Sequence, residues 1–354
     1  MLGSMRRSHV AGGLVGAVVL GLQLQCAVGA EPPPPAAARA WLATVEPAAD
    51  LQAFLERTLV ELAGRDTKLR TTDVRVALLD LTRGEPPRLA QVRGEGPIYP
   101  ASVVKLVYLM AAYAWQEAGR LTIDSALDAD LTAMIRQSSN HATQRVFARL
   151  TDTEPGPELP ADAYRLFRER RLAVKRWLES LGITDLHCVN PTYDGGGDLF
   201  GRDRQFLRDA TVPGAPRRPN GEYPNRQAMT AVGTAKLLGL LATDRALTPQ
   251  DSAIVRARMR RDPAEQPYLV HRIAGGARRL PGVEVFAKSG TWGPDYADAG
   301  IVRDARGRQF VLVVFTEASP PYRGSVIAEI AWRAGVHLFT SPTAAGERVA
   351  PGSG

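Results

Sequence analysis

The fold of this chain is decided by residues 100–112, which read PASVVKLVYLMAA. Pro100 ends the preceding segment, and the apolar run after Ser102 predicts a buried helix that continues to about Gly119. Lys105 follows Ser102 by three positions, so the two side chains share one helical face. A serine and a lysine at this spacing occur often by chance, and their significance depends on the rest of the chain.

Two further short motifs follow this stretch. Ser138-Ser139-Asn140 stands between two predicted helices, and Lys288-Ser289-Gly290-Thr291 stands at the end of a predicted strand. The three motifs in this order form a much rarer pattern than any one of them alone. The order resembles the S-x-x-K, S-D-N and K-T-G set of class A β-lactamases and penicillin-binding proteins.

The predicted elements have the layout that this resemblance implies. They are helix 48–64, strands 74–81 and 88–93, helices 102–119, 126–134, 140–150, 164–181, 230–241 and 249–261, strands 283–289, 299–302 and 310–315, and helix 325–339. Strands from both chain ends, with helices from the middle, form an α+β arrangement. The resemblance covers about residues 48–340. It implies a β-lactamase/transpeptidase-like fold with an antiparallel five-stranded sheet, flanking N- and C-terminal helices and an all-α subdomain.

Residues 1–30 predict a secretory signal peptide. Arg6 and Arg7 form a basic start, and an apolar run of about 15 residues follows, which is short for a membrane span. Small residues at 28–30 offer a cleavage site. We therefore expect a periplasmic or secreted protein without stable membrane insertion. Cys26 leaves a lipoprotein open as an alternative, although Gln25 stands where a small residue is expected.

The remaining chain has an ordinary globular composition, with 45% hydrophobic and 23% charged residues overall. We expect a Pro/Ala-rich flexible leader over 31–47, one domain over 48–340 and a flexible tail over 341–354. Cys188 is the one cysteine left after cleavage, so we expect no internal disulfide. The scattered histidines form no H-E-x-x-H pair and no basic block suggests nucleic-acid binding. We expect no metal, no cofactor and a monomer.

Ser102 is the predicted nucleophile. A serine hydroxyl needs a neighbouring base to take its proton. Burial among apolar residues favours the neutral form of a lysine, which suits Lys105 to that role. The start of the helix also presents N–H groups where negative charge develops. We expect the N–H groups of Ser102 and Thr291 to form an oxyanion hole.

The second motif supplies two polar side chains. Ser138 is expected to relay a proton towards the leaving nitrogen, and Asn140 to donate to a substrate amide carbonyl. Ser139 departs from the acidic residue of the family pattern, and either serine can cap the next helix.

The third motif supplies a strand edge for binding a substrate. Lys288 is expected to bind a substrate carboxylate or to polarise the Ser138 hydroxyl. Gly290 has no side chain and therefore allows a substrate to approach the strand closely. Ser289 keeps the hydroxyl of the usual threonine, and Thr291 completes the substrate-binding set.

One group of the family pattern is missing. Class A enzymes carry a glutamate in an E-x-x-L-N pattern, and it activates the water that hydrolyses the acyl-enzyme. Here Asn190-Pro191-Thr192-Tyr193-Asp194 occupies that segment. Asn190 stands in place of the glutamate and cannot act as a general base. Asp194 or Asp198 is the alternative base, within a segment 190–228 that is predicted to be irregular.

The resemblance implies an exported serine hydrolase that forms an acyl-enzyme. Its expected substrate is a small-molecule β-lactam, hydrolysed with slow deacylation. The alternative substrate is a cell-wall peptide, which a D-alanyl-D-alanine carboxypeptidase or a related amidase or esterase would cleave. A third alternative is a non-catalytic β-lactam sensor that is acylated once.

Overall fold

The computed structural model of the protein describes residues 35–65, 69–194, 199–212, 223–317 and 323–340. The predicted signal peptide over 1–30 and the predicted tail over 341–354 lie outside the described residues. Within the described part, a sheet is covered by helices on both faces, and a group of further helices lies beside it. The predicted α+β architecture is confirmed.

Six strands form the sheet, one more than predicted. They are β1 Glu46–Pro47, β2 Val74–Asp80, β3 Arg88–Val92, β4 Glu284–Trp292, β5 Asp295–Arg303 and β6 Gln309–Thr316, in the spatial order β1-β3-β2-β6-β5-β4. The five long strands pair antiparallel, as expected. The additional strand β1 pairs parallel with β3, where Glu46 lies opposite Arg88. Strand β1 is only two residues long, which is too short to show a periodic pattern, so it could not be predicted from the sequence.

Both faces of the sheet are buried. Ala77 and Leu79 of β2 belong to one apolar core, and Val76 and Leu78 belong to a second core on the opposite face. All four side chains are fully buried. This explains why β2 reads as a continuous apolar run instead of alternating with polar residues.

Helices from the two ends of the chain cover the sheet. The helices on the face of Leu78 are α2 Ala49–Arg65, α11 Ile273–Ala277 and α12 Arg323–Thr340. The opposite face is covered by α1 Pro35–Ala43, α3 Lys105–Glu117 and α9 Ala231–Ala242. Helix α1 corrects the predicted flexible leader, because Ala38 and Trp41 are buried in the core. Pro35 occupies the first position of the helix, where a proline is tolerated.

The remaining helices form the helical subdomain and connect it to the sheet. They are α4 Ser125–Arg136, α5 Asn140–Thr151, α6 Ala161–Arg171, α7 Ala173–Ser180, α8 Gly201–Arg208 and α10 Pro249–Met259. The single helix predicted over 164–181 is two helices that meet at Leu172. Helix α8 lies in the segment that was predicted to be irregular. Among the described residues, none of the helices combines the length and apolar character that a membrane span requires.

Candidate active site

The backbone before α3 brings the first and third motifs together. Ser102 lies in a 3₁₀ turn, Ala101–Val104, that leads directly into α3, and Ala101 has a φ of 47°. Gly290 of β4 packs against this turn. A Cβ atom on Gly290 would lie 2.7 Å from the carbonyl oxygen of Pro100 and 3.0 Å from the nitrogen of Ser102. Only glycine allows this approach, which places the Ser102 backbone beside the strand that carries Lys288.

The side chain of Lys105 forms hydrogen bonds with residues of the second motif. Its Nζ donates to the Ser138 carbonyl oxygen at 2.6 Å, to Asn140 Oδ1 at 2.6 Å and to Ser138 Oγ at 3.3 Å. Among the described residues, no hydrogen bond joins Lys105 Nζ to Ser102 Oγ. In proteins without substrate, catalytic hydrogen bonds are often long or poorly aligned, so this geometry leaves the predicted role of Lys105 open.

Burial changes the acid–base properties of Lys105. Desolvation lowers its pKa from 10.5 to about 7, and the negative charge of Asp194 opposes that shift. The side chain is fully buried at the first turn of α3. A substantial fraction of the amine is therefore neutral near pH 7, which is the form that can accept a proton.

Ser138 is the point where two lysines meet. Lys288 Nζ donates to Ser138 Oγ at 3.0 Å and to its neighbour, the Ser289 carbonyl oxygen, at 2.7 Å. Ser138 has a φ of 57°, and this residue with left-handed backbone lies two positions after the last residue of α4. A hydroxyl has two acceptor lone pairs and one donor, so with both amines donating, the O–H of Ser138 can still donate to a third atom.

The charge of Lys288 is strongly disfavoured in the free protein. Burial lowers its pKa well below the usual value, and the nearby charges of Lys105 and Arg261 lower it further. Asp298 on the neighbouring strand acts in the opposite direction. An arriving carboxylate would favour the protonated form, because an opposite charge at close range raises the pKa of an amine.

Asn140 connects Lys105 to the long loop after α7. Its Nδ2 donates to Asp194 Oδ1 at 2.5 Å and to the Tyr193 carbonyl oxygen at 3.3 Å. These contacts occupy both amide hydrogens, so donation to a substrate carbonyl requires that one of them be exchanged. Ser139 is the N-cap of α5, with its Oγ accepting from Ala142 N at 3.1 Å.

Asn190 and Asp194 differ sharply in environment. Asn190 is 1% exposed, its Nδ2 donates to the Asn225 carbonyl oxygen at 2.6 Å, and its Oδ1 has no partner among the described residues. Asp194 is half exposed and lies 3.3 Å from His141 Nδ1. Asp194 is thus the carboxylate that reaches the motif cluster through Asn140. Asp198 lies outside the described residues.

Two arginines and an aspartate behind β4 were not predicted. Arg272 Nη2 donates to Thr291 Oγ1 at 2.8 Å, and Arg261 Nε donates to the Ala287 carbonyl oxygen at 2.9 Å. Asp298 Oδ2 accepts from Ile273 N at 2.8 Å, and desolvation raises the pKa of its buried carboxyl. A charged residue inside the apolar strand β5 was the one signal in the sequence. Arg261 and Arg272 lie outside the three motifs, and the sequence around them gave no signal of a role in the site.

A cavity of about 430 Å³ adjoins the motif residues. Its walls come from the turn before Ser102, the loop after α7 and the end of β4. The lining residues are Tyr99, Asn140, Asn190, Pro191, Tyr193, Asp194, Leu199, Leu207, Tyr223, Arg226, Gln227 and Trp292. Among the described residues, no group of three His, Cys, Asp or Glu side chains is arranged to hold a metal ion.

Comparisons with known proteins agree with this architecture. Residues 166–337 match the model of the beta-lactamase enzyme family. A β-lactamase from Sphaerobacter thermophilus is similar in structure, with 17% identity, a TM-score of 0.56 and coverage of 82% of this chain and 99% of that one. PBP-A is similar at 16% identity and a TM-score of 0.56, covering 83% and 97%. No relative was found among proteins of curated function.

Two further solved structures extend the comparison. An ancestral class A β-lactamase shares 20% identity at a TM-score of 0.55, with 80% of this chain and 100% of that one covered. An acyl-enzyme complex of a PBP-A mutant with penicillin G shares 17% identity at a TM-score of 0.55, with 83% and 98% covered. The chain thus shares the fold of class A β-lactamases and of PBP-A, and the family match over residues 166–337 supports a relation to the class A β-lactamase and penicillin-binding serine hydrolase superfamily.

Proposed function

We propose that this protein is an exported active-site serine hydrolase that opens β-lactam amide bonds through an acyl-enzyme on Ser102. The observation that carries the proposal is the convergence of Lys105 and Lys288 on Ser138, beside the turn that holds Ser102. The pKa of about 7 for Lys105 supports it, because it provides a base near neutral pH.

In the acylation step, Ser102 Oγ attacks the lactam carbonyl carbon and loses its proton to neutral Lys105. Negative charge then develops on the carbonyl oxygen, where the N–H groups of Ser102 and Thr291 are the predicted donors. The C–N bond breaks as the leaving nitrogen receives a proton from Ser138 Oγ. Lys105 replaces that proton, since its Nζ lies 3.3 Å from the same oxygen.

The substrate carboxylate is expected to bind on the side of Lys288. Ser289 and Thr291 add hydroxyl groups to this end of the site, and Arg272 adds a cation that already donates to Thr291 Oγ1 at 2.8 Å. The resulting excess of positive charge suits an anionic substrate. Binding of the carboxylate would return Lys288 to its protonated form.

Deacylation is expected to be the slow step. Asn190 cannot accept a proton from water, and its buried amide is tied to the Asn225 carbonyl oxygen. Asp194 is the alternative base, but it is engaged by Asn140 at 2.5 Å and is half exposed. The penicillin acyl-enzyme of a PBP-A mutant, a structural neighbour, is consistent with a long-lived intermediate on this fold.

A chromogenic cephalosporin tests this proposal. We expect a burst near one equivalent of enzyme followed by slow turnover, and no burst from Ser102→Ala. Fast turnover without a burst would contradict the slow deacylation, and absence of any reaction would contradict β-lactam acylation.

A cell-wall peptidase or esterase is the second candidate, because Asn190 provides no carboxylate to activate the water that would hydrolyse the ester formed between Ser102 and an opened β-lactam. Release of D-alanine from a peptide that ends in D-alanyl-D-alanine distinguishes it from a β-lactamase. A single stoichiometric burst, with neither lactam turnover nor D-alanine release, would indicate a β-lactam sensor.

A further inference from the structure

An arginine lies between two aromatic rings at the cavity beside the motif residues. The guanidinium carbon of Arg226 is 4.1 Å from the centre of the Tyr99 ring and 4.6 Å from that of Trp292. The two rings contact each other edge to face, with their centroids 5.7 Å apart. All three side chains line the cavity. These two cation–π contacts hold the Arg226 guanidinium at the wall of the cavity.

The guanidinium of Arg226 lacks an anionic partner in the part of the chain that the structure describes. Many of the described arginines form ion pairs with carboxylates, as Arg145 does with Asp130, but no hydrogen bond or ion pair joins the Arg226 side chain to another described residue. The carboxylate of Asp194 lines the same cavity, but it is bound by Asn140 at 2.5 Å and lies 3.3 Å from His141. The cavity is therefore lined by a cation that has no anionic partner among the described residues, and a guanidinium in such a position can bind a carboxylate.

The position of Arg226 follows from the direction of β4. Lys288 and Trp292 lie on the same strand, four residues and about 13 Å apart, and the turn of Ser102 packs against Gly290 between them. A substrate whose first carboxylate binds at Lys288 and whose carbonyl reacts at Ser102 extends its acyl side chain towards Trp292. Arg226 is stacked on that ring.

We propose that Arg226 selects acyl donors that carry a second carboxylate on the acyl side chain. This inference rests on the proposed function, because it assumes acylation of Ser102. It assigns the cavity a substrate class: dianionic β-lactams or acyl peptides, with one carboxylate bound near Lys288 and the other at Arg226. The rings of Tyr99 and Trp292 hold the guanidinium in place.

Two penicillins that differ by one carboxylate test the proposal. Benzylpenicillin and its α-carboxy derivative, carbenicillin, have the same ring system and the same phenyl group. We expect wild-type protein to be acylated by the α-carboxy compound with the larger second-order rate constant. The ratio of the two constants should fall about tenfold to a hundredfold in Arg226→Gln, which removes the charge. Arg226→Lys should retain part of the preference, because it keeps the charge but loses the planar stack.

A matched control is Arg306→Gln, which removes one positive charge from the exposed turn between β5 and β6. Its ratio should equal that of wild type. A wild-type ratio of one or less, or a ratio that Arg226→Gln leaves unchanged, would overturn the proposal. Circular dichroism shows whether Arg226→Gln is folded. If it is not, the ratios of the two rate constants in Arg226→Lys and in wild type test the proposal instead.

Equilibrium binding separates this inference from the proposed function. Titration calorimetry on Ser102→Ala measures the affinity for both penicillins without acylation. We expect Ser102→Ala to bind the α-carboxy compound more tightly than benzylpenicillin, and the double variant with Arg226→Gln to lose this difference in affinity. That result would support the carboxylate site even if the wild-type protein is never acylated. Equal affinities in Ser102→Ala would overturn the inference, although acylation of wild type by benzylpenicillin would still support the proposed function.

Discussion

The proposed role of Lys105 as the general base leads to a quantitative pH dependence of acylation. Its pKa is about 7, because desolvation in the core outweighs the attraction of Asp194. Only the neutral amine can take the proton of Ser102. For a group with this pKa, the neutral fraction is about 9% at pH 6 and about 91% at pH 8. The acylation rate constant should therefore rise about tenfold between these two pH values and then level off.

Removing the charge of Asp194 should move this profile in a known direction. The carboxylate raises the pKa of Lys105, so Asp194→Asn should lower that pKa and shift the midpoint of the acylation profile to more acidic pH. The asparagine keeps an amide oxygen that can accept from Asn140 Nδ2, which the native carboxylate does at 2.5 Å. Glu158→Gln is a matched control, because it removes a carboxylate from an exposed loop. It should leave the midpoint in place.

Stopped-flow measurement of the burst with a chromogenic cephalosporin, between about pH 5.5 and pH 8.5, provides the profile. A rate constant that stays flat over this range would refute the assignment of Lys105 as the base. So would a rate that continues to rise towards the ordinary lysine pKa of 10.5. A shift to alkaline pH in Asp194→Asn would refute the electrostatic argument, because the sign would be reversed.

Four further outcomes are expected. Lys288→Ala should slow acylation by β-lactams that bear a carboxylate more than acylation by neutral ester analogues, by one to two decades for a lost charge-assisted hydrogen bond of about 1.5–3 kcal/mol. Equal losses for both substrates, measured as kcat/KM, would argue against carboxylate binding. Asn190→Glu should accelerate the slow phase after the burst and leave the burst rate nearly unchanged, since it introduces a carboxylate beside the cavity. An unchanged slow phase in stopped-flow traces would show that a carboxylate at this position does not activate the deacylating water. Trp41→Ala should lower the free energy of unfolding by about 3 kcal/mol or more, because the side chain is 3% exposed in the core; a urea midpoint equal to that of wild type would show that α1 does not contribute to stability. N-terminal sequencing of exported protein should begin near Glu31, whereas a lipid-modified Cys26 as the first residue would replace signal-peptide cleavage with lipoprotein processing.

The long strands and helices could be predicted from the sequence because their apolar patterns are strong. The run VRVALLD gave β2 with nearly correct ends, and both of its faces are buried. Helix α1 was missed because a Pro/Ala-rich composition resembles a linker. Trp41 was the residue that should have indicated a buried segment. Helix α8 has the charged sequence GRDRQFLR and lies in a Gly/Pro-rich segment, where Phe206 alone among its residues is fully buried.

The candidate site was predictable only in its local parts. The resemblance of the three motifs anticipated the contact of Lys288 with Ser138. It did not anticipate that Lys105 Nζ donates to Ser138 and Asn140, and no hydrogen bond among the described residues joins Lys105 Nζ to Ser102 Oγ. The contact of Asn140 with Asp194 joins residues 54 positions apart, and that of Arg272 with Thr291 joins two separate elements. Such contacts depend on tertiary packing and leave no trace in local sequence. The stacked Arg226 is a third case, because its rings come from distant segments.

Ser102 is the residue on which we propose that the covalent acyl-enzyme forms. Intact-mass analysis of the protein after exposure to penicillin G, followed by peptide mapping, tests it most directly. We expect a single adduct, with the mass of the intact penicillin, on the peptide that contains Ser102, and no adduct on Ser102→Ala. An adduct of the same mass on Ser102→Ala, or one that maps to Ser138 in the wild-type protein, would contradict it.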